Sequence, residues 1–321
     1  MTDININHVL SSDISSTIFD DLLFRITVSA PHDICIRVSK RPLPGQALYH
    51  FHRPHLELRL PRNAVTTVHH DLADTDHWHR FEKFQPRYRQ AAVNICLNTG
   101  QQEFLATHGI SNAVVIPHGY DPTVFDAVER PKHHDGARPV VIGIVSRRYP
   151  RRFKGEGQLY DLLKHLPKGR FSFLFVGRGR WQDMKVARAF GFDAACYDGL
   201  PYSLFGEIYR RIDLLLIMSL FEGGPACLPE ALGSGTPVIA TPVGMAVDMI
   251  RPGENGLILT GDGAADAARI SGLLENGGRG LNVLFEGAAA GAGDTPTWDE
   301  TIARLFDLYR EIVSHKGCGV A

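Results

Sequence analysis

Two glutamates flank a glycine-rich turn in the second half of the chain. Residues 221–232 have the sequence FEGGPACLPEAL and directly follow an apolar run, residues 212–218, that predicts a buried strand. A strand followed by Gly-Gly-Pro and a helix leaves backbone amides unpaired at the helix start, where the helix dipole favours an anion. The pattern therefore predicts a diphosphate site. Since a diphosphate repels carboxylates, we expect Glu222 and Glu230 to meet hydroxyl groups, such as those of a sugar and a ribose.

A strongly basic loop lies upstream of this turn. Residues 147–155, RRYPRRFKG, carry five cations and no acid and follow a predicted strand at 140–145. Positive charges at this place can neutralise a diphosphate and attract an anionic ligand. A solvated basic loop, or a patch for an anionic lipid or nucleic acid, would have the same composition, so these alternatives stay open.

The spacing of the two glutamates carries a family resemblance. Glu222 and Glu230 are separated by seven residues, and the chain continues as ALGSGTPVIAT over residues 231–241. This resembles the E-x7-E signature of retaining GT-B glycosyltransferases, especially family 4. The resemblance implies that Glu230 holds the donor ribose and that Glu222 contacts the transferred sugar. It also implies a donor-binding loop made of Gly223, Gly224, Pro225, Ala226, Cys227 and Leu228.

The basic loop resembles the arginine and Lys-Gly pair with which this family grips the donor phosphates. The resemblance gives Lys154 the lysine role and Arg147 the arginine role. Because the loop is about two residues longer than the family pattern, Arg148 and Arg151 are alternatives for the arginine. A further Gly-x-Gly turn after a predicted strand resembles the family's, where missing side chains let the backbone approach a ligand. Its glycines are Gly177 and Gly179.

The first half offers one candidate site residue. Thr67, Val68 and His69 follow a predicted strand and resemble the family's Thr-x-His, whose histidine reaches towards the donor sugar. Residues 115–121, VIPHGYD, resemble its strand-Pro-x-Gly-x-Asp turn. The alternative for His69 is an ordinary hydrogen-bonded histidine.

The elements that must position these residues form two series of strands and helices. Short β-branched runs separated by turns and helices predict parallel sheets with right-handed crossovers. The resemblance implies the GT-B fold, an α/β architecture of two Rossmann-like domains whose parallel sheets face a central cleft. The predicted strands are residues 33–38, 47–51, 64–68, 92–97 and 113–116, then 140–145, 171–176, 213–218, 237–240 and 256–259, with helices at 156–165 and 184–190.

Domain boundaries follow from polar, glycine- and proline-bearing segments. Residues 131–139 predict an interdomain linker. We therefore expect a short acceptor domain over residues 1–135 and a donor domain over 136–300. Residues 277–293, rich in glycine and alanine, predict a loop. An amphipathic helix from 298 to about 313 follows, and we expect the last segment, residues 301–321, to pack back on the first domain.

Composition limits the possible partners and compartment. A chain of 321 residues with 44% hydrophobic residues can form two cores, and a formal net charge of −1 excludes global attraction to nucleic acid. The five cysteines form no CxxC pair, which favours a reducing compartment. The N-terminus lacks a signal-peptide pattern, and no run has the length of a membrane span. We expect a cytoplasmic protein, and peripheral binding to the inner face of the membrane stays open.

A metal site is considered because seven of the 15 histidines lie between His50 and His79. The HExxH pattern of zinc-binding helices is missing. Asp74 and Asp76 form a DxD triplet, but it lies far from the diphosphate turn, so helix capping and solvation explain it better. We expect no metal site and no cofactor, with a nucleotide sugar as the substrate.

These features predict a retaining, metal-independent glycosyltransferase of the hexosyltransferase type. It would move a sugar from a nucleoside diphosphate to an acceptor, which the sequence leaves open as a glycan, a lipid-linked or a small molecule. The hydrolase pattern Gly-x-Ser-x-Gly and the P-loop are missing. The alternative is a catalytically degenerate GT-B-like protein that binds a nucleotide sugar or glycan. The short first domain favours that alternative, whereas Glu222, Glu230, Lys154 and His69 favour the enzyme.

Overall fold

The computed structural model describes residues 4–11, 17–126 and 132–317. The chain divides into two compact units. The first comprises Met1–His118 together with Trp298–Ala321, and the second comprises Gly119–Thr297. Among the described residues, no helix combines the length and the apolar character that crossing a bilayer requires.

The first unit is built on a six-stranded parallel sheet. Its strands are β1 (Ile4–Val9), β2 (Ile34–Ser39), β3 (Leu48–Phe51), β4 (Ala64–Val68), β5 (Val93–Cys96) and β6 (Ala113–Val115). They are ordered β2-β1-β3-β4-β5-β6. The helices between them are α1 (Thr17–Val28), α2 (Phe81–Tyr88) and α3 (Thr99–Thr107). The five strands predicted in this half are confirmed to within two residues at each end.

The second unit contains another six-stranded parallel sheet. Its strands are β7 (Val140–Val145), β8 (Phe171–Val176), β9 (Asp193–Tyr197), β10 (Leu214–Ile217), β11 (Val238–Ala240) and β12 (Gly256–Ile258), in the order β12-β11-β10-β7-β8-β9. Its helices are α4 (Glu156–His165), α5 (Trp181–Ala189), α6 (Phe205–Arg211), α7 (Cys227–Gly233), α8 (Ala246–Met249), α9 (Gly263–Gly272) and α10 (Glu275–Ala290). In each parallel sheet the carboxyl ends of the strands share one edge, where ligands of such folds bind. The prediction of two Rossmann-like parallel sheets is confirmed.

The last helix, α11 (Trp298–Gly317), packs on the sheet of the first unit. Its apolar residues recur at helical spacing and enter the same core as strand residues Ile6 and Leu48. They are Ile302, Leu305, Phe306 and Tyr309. Arg310 adds a two-pronged contact to Asp33, with nitrogen-to-oxygen distances of 2.9 and 3.0 Å.

Two strands, β1 and β9, were not predicted from the sequence. β1 alternates isoleucine with asparagine, yet Asn7 is fully buried because its side-chain amide donates to Arg37 O at 3.1 Å and Ser39 Oγ at 2.9 Å. β9 lies at the sheet edge and is exposed at alternate residues, so it lacks the apolar run of a buried strand. Both strands are recognisable only once their neighbours are in place.

The predicted loop at residues 277–293 is wrong, because most of it lies in α10. Leucine and phenylalanine side chains at helical spacing enter the core of the second unit, and this burial outweighs the low helix propensity of the glycines. They are Leu281, Leu284 and Phe285. The glycines act at the start of the helix, where residues 276–278 have positive φ.

The predicted linker is packed rather than extended where the structure describes it. Pro131 lies outside the described residues. Lys132 Nζ donates to Tyr209 O at 2.6 Å, and the buried His134 exchanges two hydrogen bonds with Asn282 of α10 through its backbone. Residues 132–139 therefore pack within the second unit.

Gly155 is required where α4 begins. Its φ is 80°, and a Cβ on it would lie 1.7 Å from Met218 O at the end of β10. We expect Gly155→Ala to lower the free energy of unfolding by at least about 2 kcal/mol, through left-handed strain and overpacking. Gly157→Ala, in the same helix with open space around the added methyl, is the control and should raise it by about 0.5–1 kcal/mol. Urea denaturation measures both, and an equal response of the two variants would contradict the role of Gly155.

Candidate functional site

Lys154 and Glu222 meet at the carboxyl edge of the second sheet. The loop after β7 and the loop after β10 lie side by side, with Leu220 N donating to Phe153 O at 2.8 Å. Lys154 Nζ contacts Glu222 Oε1, and Ser219 Oγ donates to the same oxygen at 2.9 Å. The two charged side chains are only 15% and 11% exposed. The structure thus brings together the cation that the resemblance assigns to the donor phosphates and the carboxylate that it assigns to the transferred sugar.

Glu230 is held by two tyrosines. It lies on α7 and is buried, while Tyr202 donates to Oε1 at 3.0 Å and Tyr209 donates to Oε2 at 2.9 Å. Each carboxylate oxygen therefore has an oriented hydroxyl donor, which satisfies a buried charge. Neither tyrosine is singled out by the sequence pattern, because both come from residues 202–211, an unremarkable polar stretch before β10.

Cys227 lies at the start of α7 in the field of these charged groups. Burial raises the pKa of its thiol to about 12, and the negative charge of Glu230 adds to this. A thiol with a raised pKa is a poor nucleophile. Cys227 can therefore line a ligand but does not offer a thiolate for covalent chemistry.

The donor-binding loop forms a tight turn between β10 and α7. Gly244 approaches it so closely that a Cβ there would lie 2.8 Å from Gly223 O and 3.0 Å from Glu222 O. Leu228 N donates to Pro225 O at 3.0 Å, and the Leu228 side chain is fully buried. The neighbours Gly224 and Cys227 are partly exposed, and Ala226 is exposed.

The second glycine turn follows β8 and packs against the end of β7. Gly177 has a φ of 130°, and a Cβ on it would lie 2.4 Å from Ser146 O. Gly179 N donates to Asp198 Oδ1 at 2.7 Å. The two glycines therefore allow close backbone packing next to the basic loop.

The three candidate arginines have different surroundings. Arg148 is bound to the buried Asp183, with Nε 3.2 Å from Oδ1. Arg147 is exposed and lies over the Tyr149 ring at 5.2 Å. Arg151 is also exposed and contacts the rings of Phe153 and Phe221. Arg148 is thus engaged in a structural contact, and Arg147 and Arg151 stay candidates for a phosphate contact.

A buried charge network supports this loop. Arg180, only 1% exposed, donates to Asp183 Oδ2 at 2.8 Å and lies 3.4 Å from Glu156 Oε1. It also donates to Ser146 O at 2.9 Å and Ser146 Oγ at 2.7 Å, at the point where β7 ends. The sequence analysis missed Arg180, although its place directly after the Gly-x-Gly turn was a usable signal.

In the first unit, His69 follows β4 and belongs to a group of histidines. His69 Nε2 lies 3.1 Å from His52 Nδ1, and its ring packs edge-on against Phe19 with centroids 4.8 Å apart. Burial holds the pKa of His69 well below its usual value, and the nearby His118 lowers it further. The His69 ring is therefore neutral at pH 7. His8 was not identified from the sequence. Its Nδ1 contacts His52 Nε2, and its Nε2 contacts the Tyr309 hydroxyl.

The remaining acids and histidines of this unit have local roles. Asp74 and Asp76 each accept a hydrogen bond from a backbone amide two residues later, at 2.9 and 2.8 Å. They stabilise local turns, whereas helix capping and solvation were expected from the sequence. His118 is buried against Trp298, both of its ring nitrogens lack a hydrogen-bond partner, and burial lowers its pKa to about 4.

Sequence comparisons match part of the chain to known glycosyltransferases. Residues 139–276 match a family model described as Glycosyl transferases group 1. The D-inositol 3-phosphate glycosyltransferase of Thermomonospora curvata is 30% identical over 141 residues, 43% of this chain and 32% of that protein. The lipopolysaccharide 1,6-galactosyltransferase of Salmonella typhimurium is 27% identical over 188 residues, 55% of this chain and 50% of that protein. The chain thus spans about a third to a half of the length of these relatives.

Solved structures share the whole fold. Sucrose-phosphate synthase from Thermosynechococcus elongatus has a TM-score of 0.76 at 15% identity, covering 98% of this chain and 100% of that chain. HepE of Anabaena in complex with UDP-glucose has a TM-score of 0.70 at 16% identity, covering 94% of this chain and 99% of that chain. These likenesses establish the fold, and the predicted GT-B architecture is confirmed.

The buried network makes a stability prediction. Arg180→Met would leave Glu156 buried without its cation and Asp183 with Arg148 as its remaining cation, and we expect it to lower the free energy of unfolding by about 3–5 kcal/mol. Arg178→Met, at the exposed middle of the same glycine turn, is the control and should change it by less than about 0.5 kcal/mol. Urea denaturation compares the two variants. Equal stability of both would show that the network does not hold this edge of the sheet.

Proposed function

We propose that this chain is a retaining glycosyltransferase that moves a hexosyl group from a nucleoside diphosphate to an acceptor. The observation that carries the proposal is the half-buried contact between Lys154 and Glu222, next to the tyrosine-held Glu230. All three residues lie within the stretch that matches the glycosyltransferase family model. The crystal structure of HepE, which has the same fold, holds UDP-glucose, and this supports a nucleotide sugar as the donor.

Lys154 is proposed to bind the donor diphosphate. In the structure its ammonium group contacts Glu222. A diphosphate carries more negative charge than one carboxylate, so it would draw the ammonium group towards itself. Glu222 would then be available to accept hydrogen bonds from sugar hydroxyls.

Glu230 is proposed to bind the ribose of the donor. Its two oxygens are oriented by Tyr202 and Tyr209, and each oxygen can accept further hydrogen bonds. Two ribose hydroxyls match this pair of acceptors. The loop glycines Gly223 and Gly224, with Gly177 and Gly179, would let the backbone approach the sugar and phosphates.

The chemical step is proposed to need neither a metal ion nor a cofactor. Lys154 and Arg147 would stabilise the leaving diphosphate, which is the largest charge that develops in the reaction. The leaving diphosphate would take the proton of the acceptor hydroxyl, and His69 would contact the transferred sugar. We place the reaction in the cytoplasm, with the inner face of the membrane as a possible site of peripheral binding and with no role for nucleic acid.

The two glutamates should differ in their kinetic roles. Glu230→Gln weakens ribose binding equally in the ground state and the transition state, so we expect mainly a higher KM. Glu222→Gln acts where positive charge develops at the anomeric carbon, so we expect mainly a lower kcat. Each effect should be tens-fold to several-hundred-fold, about 2–4 kcal/mol. Steady-state kinetics measure both variants, with the exposed Glu207→Gln as the control.

Two outcomes would contradict this assignment. If Glu222→Gln abolishes inhibition by free nucleoside diphosphate while Glu230→Gln leaves it unchanged, the two roles are reversed. If nucleotide sugars stabilise the protein but no member of an acceptor panel yields transfer, the alternative hypothesis of a catalytically degenerate binding protein is supported instead. A saturating ligand at 100 times its Kd adds about 2.7 kcal/mol of stability, which a thermal-shift screen of nucleotide sugars detects.

Lys154 makes a separate binding prediction. Lys154→Met removes a charge-assisted contact from a half-buried place, so we expect the Kd for the nucleoside diphosphate to rise about tenfold to a hundredfold. UDP, GDP and ADP are titrated calorimetrically against wild type to choose the ligand. Lys164→Met, on the exposed face of α4, is the matched control and should leave the Kd unchanged. An unchanged Kd for Lys154→Met would contradict the proposal that Lys154 binds the donor diphosphate.

A further inference from the structure

A continuous row of hydrogen bonds lies at the buried carboxyl ends of the strands β1, β3 and β4. It begins at His69, which lies partly exposed after β4, and ends at Thr67 on the same strand. The successive heavy-atom distances are 3.1, 3.0, 3.4, 2.5 and 2.7 Å. We call this row the histidine chain, and its members in order are His69, His52, His8, Tyr309, His50 and Thr67.

The fold holds the histidine chain rigidly. His8 and His50 are register partners on the adjacent strands β1 and β3, and His52 directly follows β3. The rings of His50 and His52 are stacked with centroids 4.5 Å apart, and those of His52 and His69 with centroids 5.3 Å apart. Tyr309 reaches the group from α11 and is fully buried. The rings therefore have little freedom to turn.

The histidines of the row are neutral, and this gives the row a direction. Burial lowers the pKa of His8 to about 3 and holds the pKa values of His50 and His52 well below their usual value. A neutral imidazole has one N–H donor and one bare nitrogen acceptor. If one ring nitrogen donates, the other must accept, so every bond in the row points the same way. The tautomer of His69 is thus coupled to the hydroxyl of Tyr309.

The contacts of Tyr309 select the direction. Hydroxyl donors make shorter hydrogen bonds than N–H donors. The 2.5 Å contact with His50 Nδ1 therefore fits donation by the hydroxyl, and the 3.4 Å contact fits donation by His8 Nε2–H to the hydroxyl oxygen. His8 Nδ1 must then accept from His52 Nε2–H. It follows that His52 Nδ1 accepts from His69 Nε2–H.

A metal ion is the competing explanation for this cluster. One ring nitrogen from each of His8, His50 and His52 lies within 4.8 Å of the others, and no ion is present. However, both ring nitrogens of all three histidines already have hydrogen-bond partners in the row. The group as the structure describes it also contains no carboxylate or thiolate to balance a buried dication. The hydrogen-bond pattern therefore accounts for more of the geometry than a metal site does.

We propose that the histidine chain fixes His69 in its Nε2–H tautomer, so that Nδ1 offers a bare lone pair to a substrate hydroxyl. His52, His8 and Tyr309 are then positioning residues that act through His69. A ligand group that donates, such as a sugar hydroxyl, is accepted there, whereas a carbonyl or phosphate oxygen is not. The use of this lone pair rests on the proposed glycosyl transfer, but the tautomer itself does not.

The test is a direct measurement of the tautomer by NMR. Protein labelled with 15N-histidine gives two-bond proton–nitrogen correlations that distinguish bare from protonated ring nitrogens, and a His69→Asn variant assigns the His69 signals. We expect His69 to have a protonated Nε2 and a bare Nδ1, with a scalar coupling to His52 Nδ1 across the hydrogen bond. A protonated Nδ1 on His69 in the wild type would overturn the proposal, whether or not any variant folds.

Tyr309→Phe tests the coupling along the row. The change keeps the packed ring but removes the acceptor of His8 Nε2–H, and a buried unpaired N–H is costly. The segment from His8 to His69 should then reverse, so that the Nδ1–H tautomer of His69 appears. Tyr88→Phe is the matched control, because Tyr88 is equally buried in the same unit and its hydroxyl has no hydrogen-bond partner. It should leave His69 unchanged.

The remaining outcomes separate this inference from the proposed function. An unchanged His69 tautomer in folded Tyr309→Phe would overturn the coupling. Binding of one equivalent of Zn²⁺, with loss of the ring N–H signals of His8, His50 and His52, would overturn it in favour of a metal site. The expected tautomer in a protein without transfer activity would support the histidine chain and count only against glycosyl transfer. With activity, Tyr309→Phe should lower kcat about twofold to tenfold without changing nucleoside diphosphate affinity.

Discussion

The contact between Lys154 and Glu222 depends on one backbone constraint in the second unit. β7 and β10 are neighbours in a parallel sheet, so their carboxyl ends lie at the same edge. Gly155 then lets the start of α4 pass close to Met218 O, where no side chain fits, and this places Lys154 beside Glu222. The cation and the carboxylate proposed to face the sugar therefore depend on this close approach.

The charges around this edge divide into two layers with different roles. The inner layer, centred on Arg180 and Asp183, is buried and internally matched, so it stabilises the ends of β7 and β8. Arg148 belongs to this layer through its contact with Asp183. The outer layer, with Lys154 and Arg147, is more exposed and is proposed to meet the diphosphate. A rigid inner layer holds the outer cations in place before a ligand binds, which lowers the cost of binding.

In the first unit, buried polar side chains are satisfied by hydrogen bonds between neutral groups. Asn7 and the histidine chain lie in a parallel sheet that otherwise has an apolar core, and hydrogen bonds satisfy their polar atoms. Because burial keeps these imidazoles neutral, they order donors and acceptors rather than charge. This difference suits the proposed division of labour, in which the second unit binds an anionic diphosphate and the first offers a neutral acceptor to hydroxyl groups.

The amino-acid sequence by itself determined the parallel sheets and most strand bounds, because apolar runs and glycine turns are local signals. Helix α4 was predicted with its observed bounds for the same reason. Tertiary structure decided the rest. Tyr202, Tyr209 and His8 are distant in sequence from the residues that they contact, so no local pattern marks them. The glycine-rich α10 is a helix because its leucine side chains are buried in the core of the second unit, and this burial outweighs its weak local helix propensity.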